Sequence, residues 1–150
     1  MEANGWQLFA HSLFHDQIEI LTKRVEVLAG EQAAEYQAHP AAKLLATIHR
    51  YILEIIPRDP NAPDFRLGNA LGVGNRHWFR AKFHQRYRLF FRFSSRHRTI
   101  IYAWVNDEST LRKAGSKTDP YALFKSMLES GNPPASFDDL LRISRPLKKK

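Results

Sequence analysis

The stretch His77-Trp78-Phe79-Arg80-Ala81-Lys82-Phe83-His84-Gln85-Arg86-Tyr87-Arg88-Leu89-Phe90-Phe91-Arg92-Phe93 reads as two β-strands joined by a tight turn near His84 to Arg86. Successive side chains of a strand point to opposite faces. In the first strand Phe79, Ala81 and Phe83 share one face, and Arg80, Lys82 and His84 share the other. In the second, Leu89, Phe91 and Phe93 lie opposite Arg88, Phe90 and Arg92. One side of the hairpin is therefore apolar, as packing on a core requires. The other is strongly cationic, which packing does not require and a polyanion does.

The placement of charge along the chain supports this reading. The 150 residues carry a formal net charge of +8. From Phe65 to Asn106 there is no Asp or Glu, while nine of the 23 basic residues fall there: Arg66, Arg76, Arg80, Lys82, Arg86, Arg88, Arg92, Arg96 and Arg98. The remaining 14 basic residues face all 15 acidic ones, so the rest of the chain is close to neutral. Eight of the nine are Arg, whose planar fork suits phosphate. So concentrated a field fits nucleic acid or an acidic protein partner. The alternative is a solvated basic face with no ligand, although such faces ordinarily mix signs.

Composition sets the outer limits. A hydrophobic fraction of 43% is that of an ordinary globular protein with its own core, here a single domain over 1–150. The absence of cysteine excludes disulfides and thiolate zinc sites. The N-terminus lacks the charged and apolar regions of a signal peptide, and no apolar run is long enough to span a bilayer. A soluble cytoplasmic protein with no membrane partner is expected.

Outward from the hairpin, Trp6 to Ala10 is a candidate first strand. Phe14, Ile18, Leu21, Val25 and Leu28 then recur at helical spacing up to Gly30. A second helix follows Pro40, with Leu44, Leu45, Ile48, Ile52, Ile55 and Ile56 on its stripe and Pro57 expected to stop it. Phe65 to Gly68 is a candidate strand start. Gly68, Gly72 and Gly74 mark a hairpin loop rather than a phosphate-cradling loop, because a basic strand and not a helix follows. After a second turn at Ser94 to Arg98, Thr99 to Val105 is apolar on both faces and reads as a central strand. Asp119 and Pro120 open a helix as N-cap and first residue, and Ser136 opens a last short one. Residues 144–150 read as a mobile basic tail. The expected class is α+β: a mainly antiparallel sheet, two N-terminal helices packed on it, and a C-terminal helix.

Arg80, Lys82 and Arg88 should converge if the two strands pair. Cations gathered at one point repel, so folding alone gains nothing from them; a phosphate among them does. In phosphodiester cleavage the transition state carries extra negative charge, and RNA supplies its own nucleophile in the 2′-hydroxyl. Neither a metal nor a cofactor is then required. Plain phosphate binding without cleavage fits the same spacing. Trp78 and Phe90 are candidates for base stacking, His84 for proton transfer, and Arg112, Lys113 and Tyr121 for reaching the basic face from beyond the last strand. Arg76, Arg86 and Arg92 are further candidate RNA contacts. His11 and His15 have the spacing of a metal pair but no third ligand, so no metal site is expected.

Several runs together resemble the YhaV toxins: Asn4-Gly5-Trp6-Gln7-Leu8-Phe9-Ala10-His11, Arg76 to Phe83, Tyr87 to Arg92, Ala103-Trp104-Val105-Asn106-Asp107-Glu108, and Met127 to Pro134. The resemblance covers about residues 4 to 142. It implies a RelE-like fold and the toxin of a type II toxin–antitoxin system, an mRNA endoribonuclease acting on translating ribosomes. It also implies a PrlF-type antitoxin, with promoter DNA bound only together with that antitoxin. By the RelE-like pattern, Arg80 and Lys82 match two basic residues alternating on one strand, and Arg88 after Tyr87 matches the Arg of the next. Arg112 and Tyr121 are the nearest matches to a further Arg and Tyr, across a connection longer than the pattern has. The resemblance implies Arg80 and Arg88 as phosphate clamps, Lys82 as stabiliser or proton acceptor, and His84 or Tyr121 as donor to the leaving oxygen. Two other readings stay open: a non-catalytic RNA- or DNA-binding module using the same face, and a protein-directed poison on the same scaffold, which does not need the alternating basic strand.

Overall fold

The structure, a computed structural model, describes residues 1–148. Strand β1 (Glu2–Ala3) turns into β2 (Trp6–Ala10), and helix α1 (Ser12–Glu31) follows. Helix α2 (Pro40–Arg50) runs on through a π-helical turn (Tyr51–Ile55) into the short α3 (Ile56–Arg58). Then come β3 (Phe79–Phe83), β4 (Tyr87–Ser94), β5 (Thr99–Val105), α4 (Pro120–Glu129), α5 (Phe137–Ile143) and β6 (Arg145–Pro146). The six-stranded sheet has the order β1-β2-β5-β4-β3, with β6 also on β2.

The class is α+β, as expected, but the sheet is mixed. β3, β4 and β5 form an antiparallel run, whereas β2 lies parallel to β5, pairing Gln7 with Thr99 and Ala10 with Tyr102. Parallel neighbours need a crossover, which the helical segment between β2 and β3 supplies. This insertion makes β5 central, and six of its seven residues are buried, in keeping with its two apolar faces.

Two cores sandwich the sheet. On one face Leu8, Ala81, Leu89, Phe91, Ile100 and Tyr102 pack against Phe14 of α1, Ile48 of α2, and Ile52 and Ile56 beyond it. On the other, Trp78, Phe90, Ile101 and Ala103 pack against Phe124 and Leu128 of α4 and Leu140 of α5. Complete burial of Phe90 and Phe124, whose rings stack at 4.3 Å, contributes about 1.5–3 kcal/mol each.

Three sequence expectations need correction. Pro57 does not stop the second helix; it lies inside α3, preceded by the π turn in which the Ile56 N–H bonds the Tyr51 carbonyl. Pro57 has no N–H to offer the Ile52 carbonyl, and that carbonyl instead accepts the Tyr102 hydroxyl at 2.6 Å. Burial of Tyr102 raises its pKa well above the usual value, so it remains a donor. Residues Phe65 to Gly68 form no strand: Pro63–Phe65 is a 3-10 turn, and only Arg66 bridges to Phe79. The start of the presumed tail is also part of the sheet, since Arg145–Pro146 pair with Ala10 and Phe9, and the Leu147 N–H reaches the Leu8 carbonyl at 2.8 Å. Lys149 and Lys150 lie outside the described residues.

His11 belongs to the architecture. It is buried at the N-cap of α1, where its Nδ1 accepts from the Leu13 N–H at 3.1 Å. That lone pair exists only when Nδ1 carries no proton. Burial lowers the His11 pKa below 6.5, against the raising effect of Asp16. The unfolded chain therefore binds the proton first. The stabilisation is fully present above about pH 6.5 and is lost as pH falls through the folded-state value. His11→Asn keeps a capping acceptor that does not titrate. Its melting temperature, followed from about pH 8 to about pH 5, is expected to fall less than that of the wild type; parallel profiles would refute the assignment.

Candidate active site

The β3–β4 register sets Lys82 directly opposite Arg88 and Arg80 opposite Phe90. Arg80 and Arg88 are thus diagonal neighbours on the face that α4 partly covers. The turn between the strands needs left-handed backbone at two non-glycine residues, His84 (φ 47) and Gln85 (φ 63). Its tightness holds the strands in this register.

Tyr121, in the first turn of α4, closes the group. Its hydroxyl oxygen accepts from Arg80 Nε at 2.8 Å and from Arg88 Nε at 3.1 Å. Arg80 Nη1 also donates to the Asp64 and Arg66 carbonyls, and Arg88 Nη1 to those of Gln85 and Tyr87. Each guanidinium is therefore held at Nε and Nη1, and its Nη2 has no hydrogen-bond partner among the described residues. Arg88 is buried at 8% exposure, while Lys82 is exposed.

Arg112 completes the cluster from the loop after β5. Its guanidinium lies 4.9 Å from the Tyr121 ring centroid, and its Nη1 donates to Asp119 Oδ1 at 2.6 Å. The loop is stitched to the hairpin turn: the Arg112 N–H bonds the Arg86 carbonyl, and Arg86 Nε returns a bond to the Arg112 carbonyl. Buried Asn106 anchors the loop's start, with Oδ1 accepting from the Arg88 N–H at 2.6 Å and Nδ2 donating to the Arg86 and Thr110 carbonyls. The resulting open cleft, about 470 Å³, is lined by Arg80, Lys82, Arg88, Arg112 and Tyr121, with Ala70, Ala114 and Gly115 as small walls.

Other candidates fall elsewhere. Trp78 and Phe90 are fully buried in the second core against Phe124, so neither is available to stack a base. Arg92 stands on the basic face of β4 but lies beneath the C-terminal segment. It donates to the Ala135 carbonyl, with its guanidinium 5.7 Å from the centroids of both the Trp78 and Phe137 rings. Burial lowers its pKa to about 10, with Asp138 opposing. Its guanidinium is engaged in packing and does not line the cleft. His84 projects toward α2, where its Nε2 is 2.8 Å from Thr47 Oγ1, and it does not line the cleft. Arg76 bonds Asn69 in the glycine-containing loop; Arg76, Arg86 and Lys113 are exposed but do not line the cleft. The sequence reading assigned Asn106 no role of its own, although it stands at a strand end and within one of the runs that carry the resemblance. It took Asp119 only as a helix cap.

Three cations on the paired strands, Arg112 from the following loop and the Tyr121 phenol from α4 make a cationic cleft of the kind found in polyanion-directed enzymes and binders. The sequence profile of the YhaV toxins, described as toxins with endonuclease activity of a toxin–antitoxin system, matches residues 8–145. The ribonuclease toxin YhaV of Escherichia coli (strain K12) is 48% identical over 141 residues, 93% of this chain and 92% of the relative. Toxin YhaV of Escherichia coli O157:H7 is likewise 48% identical over 141 residues, with the same coverage of 93% and 92%. No solved structure matches the chain. The chain belongs to the YhaV toxin family.

The placement of Arg92 is testable. Arg92→Ala is expected to lower stability by about 1–3 kcal/mol in urea unfolding, through lost packing and an unpaired Ala135 carbonyl. The folded variant should keep wild-type nuclease activity; loss of activity at unchanged stability would return Arg92 to the binding surface.

Proposed function

We propose that this chain is an endoribonuclease toxin with a RelE-like arrangement of sheet and helices. It cleaves mRNA on the ribosome, by attack of the RNA 2′-hydroxyl on the adjacent phosphorus. The observation that carries this reading is the phenolic oxygen of Tyr121 held by Arg80 Nε and Arg88 Nε in a cleft shared with Lys82 and Arg112. The scissile phosphate would sit among these groups. The free Nη2 groups of Arg80 and Arg88 meet its non-bridging oxygens, where negative charge grows as the bond forms. Fixed donors aimed at such charge are worth about 10²–10³ each in rate. They need no reorganisation, because backbone carbonyls and Tyr121 already hold them.

Proton movement falls to Tyr121 and Lys82. The Tyr121 oxygen already accepts two hydrogen bonds. Its own hydrogen is therefore left to donate, and the departing 5′ oxygen is its natural acceptor. Lys82, exposed and directly across from Arg88, stabilises the attacking oxygen or takes its proton. The products are a 2′,3′-cyclic phosphate and a 5′-hydroxyl. Membership of a toxin–antitoxin family implies an antitoxin. We assign it to the PrlF type, with an acidic segment over the cationic cleft, and place promoter binding with the antitoxin complex. Among the described residues no helix is long and apolar enough to cross a membrane.

Incubated with reporter mRNA in EDTA, with and without ribosomes, the protein is expected to leave cyclic-phosphate ends. Arg80→Ala, Arg88→Ala and Tyr121→Phe should each lose about 10²-fold or more in rate. Full activity from a folded Arg80→Ala/Arg88→Ala double variant would refute the site. The second reading, a non-catalytic RNA-binding module, draws on the same rigid phosphate cradle. With about five phosphate contacts it gives a log–log salt slope near −3.5. That slope with intact RNA, from protein shown to be folded, would select it.

A further inference from the structure

Asp119 is a buried carboxylate, 4% exposed, bonded to Arg112 at the wall of a cleft otherwise lined with cations. Its place at the start of α4 accounts for only one of its oxygens. Oδ2 accepts the Tyr121 N–H at 3.1 Å, which is ordinary helix capping. Ser, Thr or Asn would cap equally well without a charge. Oδ1 does something else: it accepts from Arg112 Nη1 at 2.6 Å and from the Lys113 N–H at 2.8 Å.

We infer that Asp119 is a positioning residue for RNA cleavage: its two oxygens set Arg112 and Tyr121 in one fixed relation. The inference rests on the endoribonuclease reading above. Through Oδ2 the residue fixes where the Tyr121 backbone begins its helical turn. Through Oδ1 it orients the Arg112 guanidinium, which lies 4.9 Å from the Tyr121 ring centroid. The Arg112 backbone is separately tied to Arg86, so the loop has a fixed root and Asp119 decides where the side chain goes. A negative group here weakens attraction for RNA, so its presence favours a role in geometry over one in affinity. Asp119 touches no substrate and acts only through its neighbours.

Asp119→Asn tests this, because Asn retains the capping oxygen and loses the charge. The melting temperature should fall, with the variant still folded, because the Asn amide turns a donor toward Arg112 Nη1 and the Lys113 N–H. In the side-chain NMR spectrum the Arg112 Nε–H signal should move toward the position of a free arginine. With RNA substrate, kcat should fall about 10²-fold, the cost of misplacing a reacting group by about 1 Å, while KM holds or falls because the cleft has gained net positive charge. Structural damage alone would raise KM together with the loss of kcat, and that result would overturn the inference. So would an unmoved Arg112 signal with unchanged kcat. If wild-type protein cleaves no RNA, the endoribonuclease reading fails, and the Arg112 signal by itself still decides whether Asp119 positions that side chain.

Discussion

Guanidinium groups on adjacent strands repel one another unless something holds them, and here the holder is the Tyr121 hydroxyl. It accepts from Arg80 and Arg88 at once, while backbone carbonyls fix the far ends of both guanidiniums. Each cation is thereby held at both Nε and Nη1 before any ligand arrives. The arrangement is only as good as the placement of α4, which carries Tyr121. That helix is seated by Phe124, stacked on Phe90 of β4, and started by Asp119. The second core is therefore part of the site's mechanics: the aromatic pair beneath sets the height at which the phenol meets the arginines.

The same logic explains why the cationic face of the hairpin is not uniformly a binding surface. Alternation puts Arg88, Phe90 and Arg92 on one side of β4, but only Arg88 lines the cleft. Phe90 lies under α4, and Arg92 lies among Trp78, Ala135 and Phe137. One strand face thus divides into a chemical end and a packing end. The loop from Asn106 to Asp119 belongs to the chemical end, since buried polar groups at both of its limits bond to Arg88 and Arg112. Binding by an antitoxin over this loop would act on the cleft directly.

Much of the hairpin was legible because strand periodicity is rigid. A period of two leaves no choice about which face Arg80 and Lys82 share, and the lack of any nearby acid makes that face cationic. The caps were legible for a similar reason: Asp119-Pro120 and Ser136 have local hydrogen-bonding roles that hold in most contexts. Trp78 and Phe90 were not, because an aromatic on a half-covered face is equally suited to a base or to a core until the covering helix is placed. The histidines differ in the same way. The role of His11 depends on a helix start immediately after it, whereas His84 turns toward Thr47, thirty-seven residues earlier in the chain.

By itself the sequence determined the main helices and strands, the α+β class, the cationic hairpin and, through the runs spread from Asn4 to Pro134, the family. All of these follow from local chemistry or from patterns that survive without knowledge of contacts. Tertiary structure alone decided that β2 enters parallel to β5, that Pro57 is absorbed into a helix by a π turn and the Tyr102 hydroxyl, and that β6 completes the sheet. It also decided that Arg112 and Tyr121 meet the hairpin arginines across a long connection. The physical reason is common to them: each depends on which distant group supplies the missing hydrogen-bond partner or buries the apolar face, and that is settled only when the layers close.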